Sequence, residues 1–232
     1  MKISKVLFVK VGSVKTTKLE NNEKREELVS AIKKSIVPFA NLTKTGFKED
    51  SQADLLHHGG ENKALFMIGT KTYEKLNLEF ENRFSYKEDA HFGENLVLQN
   101  ISEDDICVGD ILKIGSSLVQ ITQPRQPCWK LSASTDIKNM TNYIFENGLT
   151  GFYAKVLKEG KISQNDEVIL EKRANPNLKI SKLNEIIVNP KLDEALVLEA
   201  LFCKDLGAAF KASLQKRYSL GQDDNQFSFY HS

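Results

Sequence analysis

The stretch of sequence that decides the fold is ILKIGSSLVQITQPRQPCWKL, which spans residues 111–131. It begins with two apolar runs, 111–114 and 117–121, and the Gly115-Ser116 pair between them is typical of a turn. The second run leads into a loop that two prolines stiffen. This stretch therefore predicts two short strands followed by a rigid polar loop.

The same pattern of short strands and turns recurs along the first three quarters of the chain. Further strands are predicted at 3–11, 64–68, 92–98, 151–157 and 167–171, and a short apolar run at 36–42 precedes a turn signal. An amphipathic helix capped by Thr70 is predicted at 70–82, and the charge run at 18–27 is predicted to be a solvated loop or turn. Because the strands are many and few helices separate them, the pattern favours an antiparallel barrel over a Rossmann sheet.

The composition changes near residues 174–177, and helical patterns follow. Helices are predicted from Ser181 to the break at Pro190, at 191–202 and at 206–217. We therefore expect a β-barrel-like domain at 1–174, a three-helix module at 178–221 and a tail at 222–232. The apolar stripe of the module is predicted to pack against the barrel, and it consists of Leu192, Leu196, Leu198 and Leu201.

The composition excludes several classes of partner. The 232 residues include 32 Lys and Arg against 31 Asp and Glu, and this balance gives no general attraction to nucleic acid or to an anionic membrane. No apolar run of about 18 residues predicts a membrane span, and the first eleven residues do not resemble a signal peptide. Three widely spaced cysteines fit a reducing compartment, so we expect a cytoplasmic protein.

The three cysteines differ in their surroundings. Cys107 and Cys203 lie among apolar residues, as structural cysteines do. Cys128 lies in the polar loop together with Arg125, Trp129 and Lys130. Cationic neighbours favour the thiolate, which is both a nucleophile and a ligand for soft metals. Cys128 is therefore the candidate for chemistry.

Two further segments carry a weaker signal. His57-His58-Gly59-Gly60 precedes Lys63, whose charge suits a phosphate, and a neutral His58 suits a hydrogen bond or a metal. Gly93-Glu94-Asn95 precedes an apolar strand, and Asn95 suits either its own loop or a ligand. Taken alone, both segments fit simple turns equally well or better.

At these residues the sequence resembles the MOSC family, named for the C-terminal domain of molybdenum cofactor sulfurase, and is most similar to its YiiM branch. Ser30-Ala31-Ile32-Lys33 resembles its S-A-I-x-K element, and Val108-Gly109-Asp110 resembles its G-D before a strand. The longer similar blocks are Gly46 to Leu65 (with Asp50, Gln52, Asp54, His58 and Lys63 in register), Phe92 to Leu96, Gln123 to Leu131, and Gly151-Phe152. The similarity covers residues 1–172.

The resemblance implies a mainly β fold, a MOSC-type β-barrel-like domain with a small C-terminal three-helix module. It implies binding of the molybdenum cofactor (molybdopterin), with Cys128 as the metal ligand and catalytic residue. It also implies reduction of N-hydroxylated compounds such as 6-hydroxylaminopurine, and a homodimer. The pocket residues that it implies are His58, Lys63, Asn95 and Arg125.

Within this interpretation, Arg125, Lys130 and Lys63 are candidates to bind the pterin phosphate. Trp129 either stacks on a flat ring or packs under the loop. Asp50 or Asp110 either relays protons or is a turn residue. The sequence lacks the C-x₄-C-x₂-C pattern of an iron–sulfur site, so electrons must come from a separate flavin- or iron–sulfur-bearing reductase.

Two alternatives remain open from the sequence. In the first, the protein is not an enzyme but a carrier of the cofactor, or of sulfur held as a persulfide on Cys128. In the second, the three-helix module docks a partner protein. Nucleic-acid binding is not expected, because no stripe of interleaved basic and aromatic residues is present.

Overall fold

The computed structural model describes residues 1–19, 25–53 and 59–220, in which thirteen β-strands and six α-helices are present. The strands are β1 (Lys2–Val11), β2 (Lys15–Lys18), β3 (Glu27–Ser30), β4 (Ser35–Val37), β5 (Phe39–Thr43), β6 (Gly46–Phe47), β7 (Leu65–Gly69), β8 (Leu96–Leu98), β9 (Ile111–Ile114), β10 (Ser117–Pro124), β11 (Phe152–Lys158), β12 (Gly160–Ser163) and β13 (Glu167–Lys172). The helices are α1 (Thr70–Glu79), α2 (Trp129–Thr135), α3 (Met140–Glu146), α4 (Ile180–Val188), α5 (Glu194–Phe202) and α6 (Ala208–Leu220).

Seven strands form a closed barrel in the order β13-β9-β10-β11-β7-β8-β1, and β1 pairs back to β13. Strand β4 extends the sheet from β1. All of these pairs are antiparallel except β7 with β8, which is parallel. Parallel neighbours need a crossover connection, and α1 lies in the segment between these two strands. The predicted mainly β barrel is confirmed, with this one parallel pair as a departure from the antiparallel prediction.

The two strands predicted at 111–121 form the β9–β10 hairpin, in which Ile114 pairs with Ser117. Gly115 makes the tight turn with a φ of 57°, a value that L side chains rarely adopt. A Cβ atom there would lie 2.4 Å from both the Asp166 carboxylate and the Lys161 carbonyl oxygen. Glycine is therefore required at this turn by conformation and by space.

The barrel interior and the C-terminal helices share one continuous apolar core. Buried residues of α4 to α6, among them Leu183, Val197 and Phe210, belong to the same cluster as Val9 and Ile121 of the barrel. This arrangement buries the apolar faces of the helices against the barrel, which is the dominant favourable contribution to folding.

The predicted apolar stripe of the module is only partly correct. Leu196 is buried, together with Val197 and Ala200, which were not predicted. Leu192, which ends a short 3₁₀ turn before α5, is 65% exposed; Leu198 is 44% exposed because α5 directs its Leu196 side towards the core and the opposite side to solvent.

Other differences concern local structure. The helix predicted at 70–82 ends at Glu79, and Thr70 is its first residue, not its cap; the Thr70 hydroxyl instead accepts a hydrogen bond from the Asn100 amide. In the run predicted as a loop or turn at 18–27, Lys18 ends β2 and Glu27 begins β3, the residues 19, 25 and 26 lie outside the strands as predicted, and 20–24 lie outside the described residues. Helices α2 and α3 were not predicted. Within the described part of the chain, no helix has the length and apolar character needed to cross a bilayer.

Candidate functional site

One cavity brings together stretches that are far apart in the sequence: 30–34, 51–53, 63–66, 92–95, the loop that follows β10, and Tyr153 of β11. It encloses about 620 Å³, part of it open to solvent. Its lining residues are Ser30, Ala31, Ile32, Lys34, Ser51, Gln52, Ala53, Lys63, Phe66, Phe92, Gly93, Asn95, Arg125, Cys128, Lys130 and Tyr153. The cavity wall therefore combines cationic, polar and aromatic side chains with one thiol.

Cys128 lies on the wall of this cavity and is partly exposed. Its backbone is extended, and α2 begins at the next residue. The Cys128 carbonyl oxygen accepts hydrogen bonds from the Leu131 amide and the Thr141 hydroxyl, both at 2.9 Å. These two bonds tie the cysteine to α2 and α3, so the two helices that the sequence did not predict hold the candidate ligand in place.

Arg125 lies three residues before Cys128 and is buried to 6% exposure. Its amide donates to the Gly151 carbonyl oxygen, and its guanidinium carbon lies 5.6 Å from the centre of the Phe66 ring. The Phe66 and Tyr153 rings are 5.1 Å apart. Burial raises the pKa of the Tyr153 phenol, although Arg125 acts in the opposite direction. A neutral phenol and a guanidinium therefore lie side by side on this wall.

The Asn95 side chain is engaged in bonds within the protein. Its Oδ1 accepts from the Phe66 amide at 3.2 Å, and its Nδ2 donates to the Lys10 carbonyl oxygen at 3.3 Å and to Asp50 at 2.9 Å. Both amide protons are therefore used. Asn95 lines the cavity as predicted, but its contacts are those of a residue that joins β1, β7 and the Asp50 loop.

Asp50 lies beneath the cavity wall and holds Lys34, which lines it. The Lys34 Nζ atom is 2.5 Å from Asp50 Oδ2, and the Gly12 amide donates to Oδ1 at 2.8 Å. Burial lowers the pKa of Lys34, while Asp50 and, more weakly, Glu94 act to raise it.

A second ion pair, between Lys10 and Glu94, is completely buried behind Asn95. The Lys10 Nζ atom lies 2.7 Å from Glu94 Oε1, and both side chains are 0% exposed. The Tyr73 hydroxyl donates to the same oxygen at 2.6 Å, and the Phe92 amide donates to the other at 3.1 Å. Burial acts to raise the pKa of Glu94, but Lys10 and the Tyr73 hydrogen bond together hold it below its usual value.

The remaining predicted site residues have different surroundings. Lys63 ends a short 3₁₀ helix and lines the cavity. Lys130 also lines it, while its ammonium donates to the Val29 carbonyl oxygen at 2.9 Å. Trp129 is not among the lining residues, and the guanidinium carbon of Arg25 lies 4.1 Å from its ring centre. His58 lies outside the described residues.

Two carboxylates were proton-relay candidates, and the structure separates them. Asp110 is buried in a turn, where it pairs with Arg173 at 2.7 Å and accepts from the Cys107 amide. It is not a lining residue, so the turn interpretation fits it. Asp50 touches a lining lysine. Cys107 is fully buried, and Cys203 is partly buried against the core.

Among the lining residues that the sequence interpretation missed are Lys34 and Tyr153. Lys34 occupies the lysine position of the S-A-I-x-K element, directly after Ser30-Ala31-Ile32-Lys33, and that match was an available signal. Tyr153 follows the Gly151-Phe152 pair in β11, where strand alternation alone gives no signal for a cavity. In the described ranges, no cluster of three or more His, Cys, Asp or Glu side chains could hold a metal ion.

Comparison with known proteins identifies the family of the chain. The model of the MOSC domain matches residues 54–169, which include Lys63, Asn95, Arg125 and Cys128. The chain belongs to the MOSC domain family. A Bacillus subtilis protein named YflK is 30% identical to this MOSC protein over 216 residues, which cover 91% of this chain and 93% of YflK.

Two further comparisons extend this result. A protein from Gibberella moniliformis named as a reductase is 29% identical over 131 residues, which cover 56% of this MOSC chain but 23% of that protein. The crystal structure of YiiM from Geobacillus stearothermophilus superposes with a TM-score of 0.74 at 28% identity, over 93% of this chain and 99% of that one. The barrel and its C-terminal helices are therefore shared with a protein of the YiiM type.

Proposed function

We propose that this MOSC protein binds the molybdenum cofactor in the cavity, with Cys128 as the protein ligand of the metal, and reduces N-hydroxylated compounds such as 6-hydroxylaminopurine. The observation that carries the proposal is the position of Cys128: a partly exposed thiol on the wall of a cavity whose other lining residues include four cations. The family match and the reductase-named relative support it.

The residues of the cavity fit the proposed cofactor. A thiolate is a suitable ligand for a soft transition metal. A phosphate needs charged donors when it is partly desolvated, and the lining cations available for it are Lys34, Lys63, Arg125 and Lys130. Phe66, Phe92 and Tyr153 present aromatic surface that suits a flat heterocycle.

When bound, the cofactor would supply the two electrons that cleave the N–O bond of the N-hydroxyl group. The chain itself contributes the Cys128 ligand, held through its carbonyl oxygen by α2 and α3. Arg125 would bind the anionic part of the cofactor, since its guanidinium lies 5.6 Å from the centre of the Phe66 ring and next to the Tyr153 phenol. The aromatic rings would exclude water from the same wall.

The test compares two cysteine variants expressed in a host that makes the cofactor. Cys128→Ala should lose bound molybdenum and all reduction of 6-hydroxylaminopurine, because the sulfur ligand is gone. Cys203→Ala, the matched control, should keep both and lose only a little stability, since Cys203 lies outside the cavity lining. Full retention of metal and activity by Cys128→Ala would refute the ligand assignment.

A carrier function is the second candidate. A sulfur that is passed to another molecule must be reachable from solvent, and the partial exposure of Cys128 meets this requirement. In that case purified protein would carry a persulfide mass on Cys128 and no molybdenum.

For the reductase function we further propose a separate flavin- or iron–sulfur-bearing electron donor, a cytoplasmic location and a homodimer. Size-exclusion chromatography with light scattering tests the last of these.

A further inference from the structure

Lys34 is a cavity residue that neither the site prediction nor the comparisons assign. It lines the cavity and is 5% exposed, whereas its neighbour Lys33 is exposed to solvent. Its ammonium lies 2.5 Å from Asp50 Oδ2. Asp50 is fixed in turn by the Gly12 amide and by Asn95 Nδ2. Three segments far apart in the sequence therefore place one ammonium at the cavity wall.

The lining residues differ in their ability to release a proton. Guanidinium groups do not release a proton at neutral pH. Burial raises the pKa of the Tyr153 phenol, so that this group holds its proton more firmly than an exposed tyrosine. Burial lowers the pKa of Lys34 from its usual value, while the charges of Asp50 and of Glu94, which is itself paired with Lys10, act to raise it. A positioned lysine ammonium is an established general acid.

Reduction of an N-hydroxylated amine consumes two electrons and two protons and yields the amine and one water. We propose that Lys34 is a catalytic residue that donates a proton to the departing hydroxyl oxygen, and that Asp50 and Asn95 are its positioning residues. This inference rests on the proposed function.

When the N–O bond breaks, the oxygen keeps the bonding electron pair, takes the proton from Lys34 and leaves as water, while the nitrogen receives two electrons and is protonated from solvent. The two electrons come from the flavin- or iron–sulfur-bearing reductase by way of the bound cofactor. The neutral Lys34 amine is then protonated again from solvent.

Substitution can distinguish the role of the positive charge of Lys34 from its role as a proton donor. Lys34→Arg keeps a positive charge that pairs with Asp50, but guanidinium does not release its proton at neutral pH. We expect this variant to keep the wild-type content of molybdenum and pterin, while kcat at pH 7 falls by about 10²–10⁴-fold, the usual contribution of a positioned acid. Lys33→Arg, the matched control on the exposed neighbour, should leave kcat unchanged.

Chemical rescue distinguishes loss of the proton donor from a loss of activity that has a structural cause. Lys34→Ala opens space for a small amine, and added methylamine or ethylamine should restore part of kcat at pH 7, with a dependence on the pKa of the amine. Thermal melting of each variant checks that the fold is intact. A merely structural lysine would not give an amine-dependent rate.

The outcomes separate this inference from the proposed function. Wild-type kcat in Lys34→Arg, loss of cofactor from that variant, or a Lys34→Ala variant that no amine rescues would each overturn the assignment of Lys34 and leave the proposed function standing. Wild-type protein that binds the cofactor but does not reduce 6-hydroxylaminopurine would overturn both.

Discussion

Replacing Lys10 with Met should strongly destabilise the protein, because it leaves a buried carboxylate without its cation. Lys10 and Glu94 are both 0% exposed, and their charged atoms are 2.7 Å apart. Breaking a buried pair by removal of one partner costs about 3–5 kcal/mol of unfolding free energy. For a chain of this size, 1 kcal/mol corresponds to a Tm change of roughly 2–4 °C, so the Tm of Lys10→Met should fall by roughly 6–20 °C.

The sign of the pH dependence follows from the pKa of Glu94. In the wild type this pKa lies below its usual value, so its contribution to stability is present at neutral pH and is lost as the pH falls through the folded-state pKa. In Lys10→Met, the Lys10 charge no longer opposes the effect of burial, so the Glu94 pKa should rise even though the Tyr73 hydrogen bond remains. The penalty of this variant should therefore be largest at neutral pH and should shrink under acidic conditions, where Glu94 becomes protonated.

Urea unfolding followed by circular dichroism at pH 7 and pH 5 measures both effects. The double variant Lys10→Met with Glu94→Gln removes both charges, and we expect it to be more stable than Lys10→Met alone. A Lys10→Met penalty below about 1 kcal/mol at pH 7 would refute the buried-charge argument. A double variant that loses as much as the two single variants together would refute the coupling between them.

Further predictions concern other parts of the barrel and its helices. Burial raises the pKa of Glu103, which accepts a hydrogen bond from the Gly151 amide at 2.7 Å. Its contribution is therefore greatest at acidic pH and is lost as the pH rises, so Glu103→Gln should raise the Tm at pH 8 and have little effect near pH 4. Leu198→Ser should change the unfolding free energy by no more than about 0.5 kcal/mol, because Leu198 is 44% exposed. Leu196→Ala should cost about 2–5 kcal/mol, because that side chain is buried in the same helix; equal effects of the two leucine changes in urea unfolding would contradict the orientation of α5.

The sequence predicted the strands well where the signal is local. The hairpin at 111–121 was found because two apolar runs flank Gly115, and the structure shows the same two strands. The sequence predicted a barrel but not that β1 and β13 close it, because no local pattern says which strands pair. The parallel pairing of β7 with β8 depends on the path of α1, which propensity alone does not specify.

In the candidate site, too, the residues with a local sequence signal were predicted and those that depend on distant contacts were not. Cys128 and Arg125 were found because a rigid polar loop with a cysteine is unusual, and both line the cavity. The Asp50–Lys34 pair was missed because its geometry depends on Asn95, which is 45 residues from Asp50 in the sequence. Asn95 was predicted as a pocket residue, but its bonding to three other segments could be recognised only from the folded chain.

The bond between the Cys128 sulfur and molybdenum is the central claim, and X-ray absorption at the molybdenum edge tests it most directly. Wild-type protein and Cys128→Ser, purified from a host that makes the cofactor, are compared for metal content and for the sulfur atoms around the metal. We predict bound molybdenum in the wild type, and in Cys128→Ser either loss of the metal or one sulfur fewer around it. Identical molybdenum content and an identical number of sulfur neighbours in the two proteins would contradict the account.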